Sequence, residues 1–225
     1  MRPYSTEAII LRRTNYSEAD RVISFLTPER GKVSAIAKGV RKPKSKLAGG
    51  LELFAVCDIT LMQGRGDLAL VTSARMRQFY AAILKDYDRM QLAYECIKQI
   101  NRATETVSEP EFYILLQHTL AWLDDLALDW RLVELCFRLK LQILLGHGLN
   151  LATDRDGAKL QADKTYQYDF TDNAFYTQGD RGTFTSDHIK LLRLASVKDP
   201  IVLRHVAGIE VAIDDCLWLA RTAES

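Results

Sequence analysis

Seven cations and no acid fall between Arg30 and Lys46: Arg30, Lys32, Lys38, Arg41, Lys42, Lys44 and Lys46. Repulsion within so tight a cluster destabilises the free chain, and a polyanion is the partner that relieves it. Lysine and arginine contact phosphates whatever the base, so such a cluster positions a nucleic-acid strand without reading its sequence. Arg12, Arg13, Arg21 and Arg65 lie in adjoining segments and complete the candidate nucleic-acid-binding set. Tyr16 stands among them. An exposed ring beside cations suits an unpaired base, although an ordinary loop tyrosine gives the same signal in sequence.

Catalytic chemistry is harder to assemble. The chain has no GxxxxGK phosphate loop, no GxGxxG, no HExxH and no GxSxG. His118, His147, His188 and His205 lie far apart, at neither metal-ligand nor triad spacing. Asp124-Asp125 and Asp214-Asp215 are adjacent on predicted helices, where neighbours diverge by about 100° and do not readily share a metal. Arg65-Gly66-Asp67 spells an adhesion tripeptide but reads as a hairpin turn. Cys57, Cys96, Cys136 and Cys216 sit singly among apolar neighbours with no CxxC, as small core residues of a reducing compartment do. The expectation is a binding protein with no catalytic residue, no metal and no cofactor.

Bulk composition agrees. Hydrophobic residues at 48% and charged residues at 26% are ordinary for a soluble globular chain of 225 residues. The apolar run Ala8–Leu11 is too short for a signal peptide, and no 18-residue apolar stretch suggests a membrane span, so the cytoplasm is expected. The net charge of +1 conceals an asymmetry. Residues 1–80 hold 14 Lys and Arg against 7 Asp and Glu, whereas residues 81–225 hold 16 against 22.

The elements that must carry the cations follow from periodicity. Thr6–Arg13, Arg21–Thr27, Lys32–Val40, Leu51–Met62 and Leu68–Ala74 read as five strands, with turn chemistry at Thr27-Pro28-Glu29-Arg30-Gly31 and Gly64-Arg65-Gly66-Asp67. Five strands in about 75 residues, with the longest insertion after the third, is the spacing of an OB-type barrel. From Met76 the period changes: Tyr80, Ile83, Tyr87, Met90, Tyr94 and Ile97 predict a helix of roughly 25 residues. Ser108-Glu109-Pro110-Glu111 predicts a capping box, and Asp129 caps a third helix ended by Gly146 and Gly148. Tyr166–Phe170 and Ala174–Thr177 form an expected hairpin, followed by a helix from Ser186. A last helix from Asp199-Pro200 has Val202, Val206, Ile209, Ile213, Leu217 and Ala220 on one face. The predicted class is α+β: an OB-fold barrel over residues 1–78, then an α-helical domain over 79–225 with a hairpin insertion at about 149–185.

Several blocks, in order, resemble the N-terminal barrel of the bacterial RecO recombination-mediator family. They are Ala8-Ile9-Ile10-Leu11-Arg12-Arg13, Tyr16-Ser17-Glu18-Ala19-Asp20-Arg21, Glu29-Arg30-Gly31-Lys32 and Ala37-Lys38-Gly39-Val40-Arg41-Lys42-Pro43-Lys44-Ser45. Leu51-Glu52-Leu53-Phe54 and Gly64-Arg65-Gly66-Asp67-Leu68 continue the likeness, which is specific over residues 1–80 and general beyond. The resemblance implies a non-enzymatic protein of recombinational DNA repair that binds single- and double-stranded DNA and anneals complementary strands. It also implies work with RecR to load RecA onto DNA coated by single-strand-binding protein, and binding of that protein's acidic C-terminal tail. A guess at the tail site is Trp122, Trp130, Arg131, Arg138 and Lys140. Many family members hold zinc on four cysteines in the insertion. Here Leu151–Gly157 and Gly179–Phe184 contain none, so the resemblance is to the metal-free branch. The hairpin is then expected to be held by Tyr166, Tyr168, Phe170, Phe175 and Phe184 packing on the helices. Alternatives are a protein-interaction scaffold, an RNA-binding OB-fold protein, or a nuclease with dispersed acids.

Overall fold

A computed structural model describes residues 3–63, 68–105, 107, 109–179 and 181–223. The chain forms two compact units, residues 1–124 and 125–225. The first is built on five strands: β1 (Tyr4–Asn15), β2 (Arg21–Thr27), β3 (Gly31–Ala37), β4 (Ala55–Met62) and β5 (Ala69–Phe79). They close into a barrel in the order β1-β2-β3-β5-β4, with the parallel pairs Ala35–Ala69 and Ile36–Leu70 sealing it. This is the expected OB-type barrel.

Local chemistry explains the strands. Inward positions Ala8, Ile10, Ile23, Phe25, Ala35, Ala37, Cys57, Ile59 and Leu61 share one buried cluster. A bulge at Leu11, between the pairs Ile10–Phe25 and Arg12–Ser24, lets four successive residues of β1 be buried and re-aims Arg12 outward. The β2–β3 turn is capped by Thr27, whose Oγ1 donates to the Gly31 carbonyl at 3.0 Å and accepts from the Arg30 amide at 3.2 Å. Gly31 takes the positive φ (57°) that this turn requires.

Two helices complete the first unit: α1 (Tyr87–Ala103) and α2 (Pro110–Asp124). Here the structure corrects the boundary expected at Met76. Strand β5 continues to Phe79, pairing Met76 with Cys57 and Phe79 with Ala55, and a 3-10 turn at Ala81–Lys85 intervenes before α1. Asp86 caps α1 by accepting from the Arg89 amide at 3.1 Å. The buried face of α1 is Leu92, Ala93, Cys96, Ile97 and Ile100; Tyr87 and Tyr94 of the predicted face are exposed. The Ser108 cap of the predicted second helix lies outside the described residues. The sequence divides the chain at 78/79, where the barrel ends; the compact unit runs on to Asp124 because α1 and α2 lie against β1, β2 and β3.

In the second unit, α3 (Trp130–Leu144) packs against α4 (Ser186–Val197), α5 (Pro200–Leu203) and α6 (Ile209–Thr222). Strands β6 (Gln167–Asp169) and β7 (Ala174–Tyr176) form the expected hairpin, turned by Asn173 at φ 48°. Tyr166, Tyr168, Phe175 and Phe184 join Leu132, Leu135, Leu192 and Ile213 in one core. Phe170, 39% exposed, also packs on a helix, meeting the Trp218 ring of α6 edge-on at 5.9 Å. The single last helix expected from Asp199 is likewise corrected. It is broken at Gly208, where φ is 81°, so that Val202 and Val206 are exposed while Ile213, Leu217 and Ala220 are buried.

Candidate nucleic-acid interface

The run from Arg30 to Lys46 is divided by β3. Arg21 pairs with Ala37 at one end of the β2–β3 ladder and Thr27 with Gly31 at the other, six residues or about 20 Å away. Arg30 and Lys32 belong to the far end. The Arg30 guanidinium lies 3.7 Å from the centre of the Tyr4 ring. Lys32 Nζ donates to the Asn101 carbonyl at 2.9 Å and stands 3.8 Å from Glu105. Lys32 therefore fastens the barrel to the end of α1 and is not offered to solvent.

At the near end, Lys38, Arg41, Lys42, Lys44 and Lys46 are all exposed and, among the described residues, make no ion pair. Two apolar anchors hold the segment that carries them. Val40 and Leu51 are buried in the barrel core, with Leu47 packed beside them. Between these anchors the chain runs in tight turns, the Lys42 amide donating to the Gly39 carbonyl at 3.1 Å and the Ser45 amide to the Lys42 carbonyl at 3.0 Å. Gly39 has φ 65°. The lysines cannot turn inward without withdrawing Val40 or Leu51.

This segment is stitched to the β1–β2 loop. Asp20 Oδ1 accepts from the Gly39 amide at 2.7 Å. The Arg41 amide donates to the Ala19 carbonyl and its guanidinium to the Ser17 carbonyl, both at 3.0 Å. The loop itself is closed by the Tyr16 amide on the Asp20 carbonyl at 3.1 Å. At its base Arg21 Nε donates to Asn15 Oδ1 at 3.1 Å, a neutral partner that leaves its charge uncompensated. Tyr16 is 66% exposed on this rim. None of these cross-loop bonds has a sequence signature, because the partners are about twenty residues apart; Gly39 among cations was the nearest clue.

The remaining candidates divide. Arg12, on β1 opposite Ser24 and so halfway between the two ends, is exposed and unpaired among the described residues. Arg13 is engaged by Glu52 at 3.2 Å and by the Leu51 carbonyl. Arg65 lies outside the described residues. Arg75 and Arg77 of β5, not singled out by the sequence, are exposed, but Arg77 is held by Glu7 and Asp58.

The residues of the guessed tail site are divided between the two units. Trp122 is a buried residue of the first unit, whereas Trp130, Arg131, Arg138 and Lys140 belong to the second. Each of those cations already meets a carboxylate: Arg131 meets Asp129 and Asp214, Arg138 meets Glu134 at 2.7 Å, and Lys140 meets Asp199 at 2.7 Å. Nor is a reactive centre visible among the described residues, where no three His, Cys, Asp or Glu side chains gather at metal-holding distance. Burial pushes the thiols away from reactivity, Cys57 up to about 11 and Cys136 up to about 12. No described helix is long and apolar enough to cross a membrane.

Residues 1–80 match the family described as Recombination protein O N terminal. The chain is 36% identical over 147 residues to the DNA repair protein RecO of Heliobacterium modesticaldum, covering 65% of this chain and 53% of that one. It is 37% identical over 123 residues to the RecO of Dehalococcoides mccartyi, covering 54% and 48%, and 32% identical over 149 residues to that of Desulfatibacillum aliphaticivorans, covering 65% and 58%. The matched regions thus span about half the length of these relatives.

Proposed function

We propose that this chain, whose residues 1–80 match the Recombination protein O N-terminal family, binds DNA in recombinational DNA repair through the near end of its barrel and turns over no substrate. One observation carries the reading: five exposed cations without ion pairs among the described residues, Lys38 to Lys46, on a segment anchored so that they face outward. Arg12 and Arg21 extend the surface. Such a surface offsets phosphate repulsion between two strands without fixing their register, which is what annealing of complementary strands requires. Work with RecR and single-strand-binding protein in loading RecA is the finer part of the proposal and rests on the family resemblance alone.

Salt dependence tests the reading. Each phosphate left without its cation flattens the plot of log affinity against log salt by about 0.9 for duplex and 0.7 for single strands. Replacing Lys42, Lys44 and Lys46 by Ala is expected to flatten that slope by about 2 to 3 and to slow annealing, with thermal unfolding unchanged. An unchanged slope with unchanged affinity refutes the assignment of the patch. Arg41 is left out of the set because it also ties the two loops together.

A further inference from the structure

A cationic patch grips duplex and single strand alike, so it does not say which form the barrel is built for. The ring of Tyr16 adds that information. Exposed aromatic surface is unfavourable in water, and three described rings are more than half exposed: Tyr16 at 66%, Tyr87 at 71% and Trp218 at 55%. Their surroundings separate them. Tyr87 lies between Asp86 and Asp88, and the Trp218 ring is already engaged edge-on by Phe170 at 5.9 Å. Tyr16 shares its rim with Lys38, Arg41, Lys42, Lys44, Lys46 and Arg21, against Glu18 as the one nearby acid not engaged in stitching the loops.

The loop that carries Tyr16 is also pre-ordered. The Tyr16 and Ser17 amides both reach the Asp20 carbonyl, and the Asp20 amide reaches Ser17 Oγ at 3.2 Å. Asp20 and Arg41 then tie the whole loop to the cationic segment. A backbone held this way loses little further freedom when a base stacks on the ring it carries.

Resting on the DNA-binding reading above, we propose that Tyr16 is a stacking platform for one unpaired base, which makes the rim selective for single-stranded DNA. The ring offers its face to a base whose neighbours have been splayed, while the lysines hold the flanking phosphates. In a duplex the base faces are covered by their own neighbours, so the ring finds nothing to stack on and only the phosphate contacts remain.

The experiment measures affinity of the full chain for a labelled single-stranded oligonucleotide and for a duplex of equal length, at two salt concentrations. Tyr16→Ala is expected to weaken single-strand binding about tenfold, within the range of roughly 5- to 150-fold found for one stacked base. Duplex affinity and the salt slope should stay within about twofold, because every phosphate keeps its cation. Tyr16→Phe keeps the ring and should bind as the parent does. An unchanged ratio of single-strand to duplex affinity in Tyr16→Ala overturns the proposal, as does a Tyr16→Phe variant as weak as Tyr16→Ala. The Lys42, Lys44 and Lys46 triple variant, measured in parallel, reports on the patch separately: if it weakens both substrates while Tyr16→Ala weakens neither, the patch stands and the stacking role falls.

Discussion

Glu134 on α3 is 3% exposed and is held between Arg138 of its own helix and Arg221 of α6, at 2.7 and 2.5 Å. Burial acts to raise its carboxyl, but hydrogen bonds from Arg221 and Arg138 outweigh burial and hold it below the usual carboxylate range. A folded-state value below the unfolded one of about 4.3 stabilises the fold at neutral pH, and that contribution fades as acid protonates the folded carboxylate. Glu134→Gln is therefore expected to cost about 2 to 3 kcal/mol at pH 7, at or below the bottom of the roughly 3 to 5 kcal/mol for a fully buried pair because Arg221 is half exposed. The gap in thermal unfolding between parent and variant should begin to close as pH falls below about 4.3 and vanish only below the lower folded-state value; a gap that widens in acid contradicts the assignment. At this scale the sequence showed which residues are charged but not which charges are already paired. Lys32 and Arg13 looked like their neighbours, yet their partners are Asn101 and Glu52, found only when the chain folds back on itself.

Elements were legible where side-chain alternation and turn residues agreed. The strands of the barrel, the Asp129 cap and the hairpin at 167–176 all followed from local chemistry. Two features escaped because tertiary pairing overrode local pattern. Met76 to Phe79 fits a helical period but is claimed by β4, and a continuous apolar stripe from Val202 to Ala220 is cut by one left-handed glycine. The insertion shows how a hairpin is held by packing. The Tyr166 and Phe184 amides and carbonyls exchange bonds at 2.9 Å each, and Gly182 lies so close that a Cβ there falls on the Tyr166 amide and the Thr165 carbonyl carbon. Gly182→Ala must push that strand aside, at a cost of about 1 to 3 kcal/mol. Calorimetry should show the loss, and near-UV dichroism should report loosened aromatics; a parent-like melt would mean that the crowding relaxes freely.

Across the whole molecule, charge follows the two compact units. Residues 1–124 carry 18 Lys and Arg against 14 Asp and Glu, and residues 125–225 carry 12 against 15. The cationic rim lies entirely in the first. A fragment of residues 1–124 is accordingly expected to keep the salt slope of the full chain, and a fragment of residues 125–225 to show almost no salt-dependent DNA binding; equal slopes for the two fragments would contradict this division. The four cysteines, all buried and outside any disulfide, have a practical corollary at this scale. Alkylating reagents attack thiolates within reach of solvent, and this chain presents none of its own. It is in effect a blank background for chemistry at sulfur: a cysteine installed on the rim, at Ser45 for instance, would take a fluorophore or cross-linker alone, with every native thiol left in place.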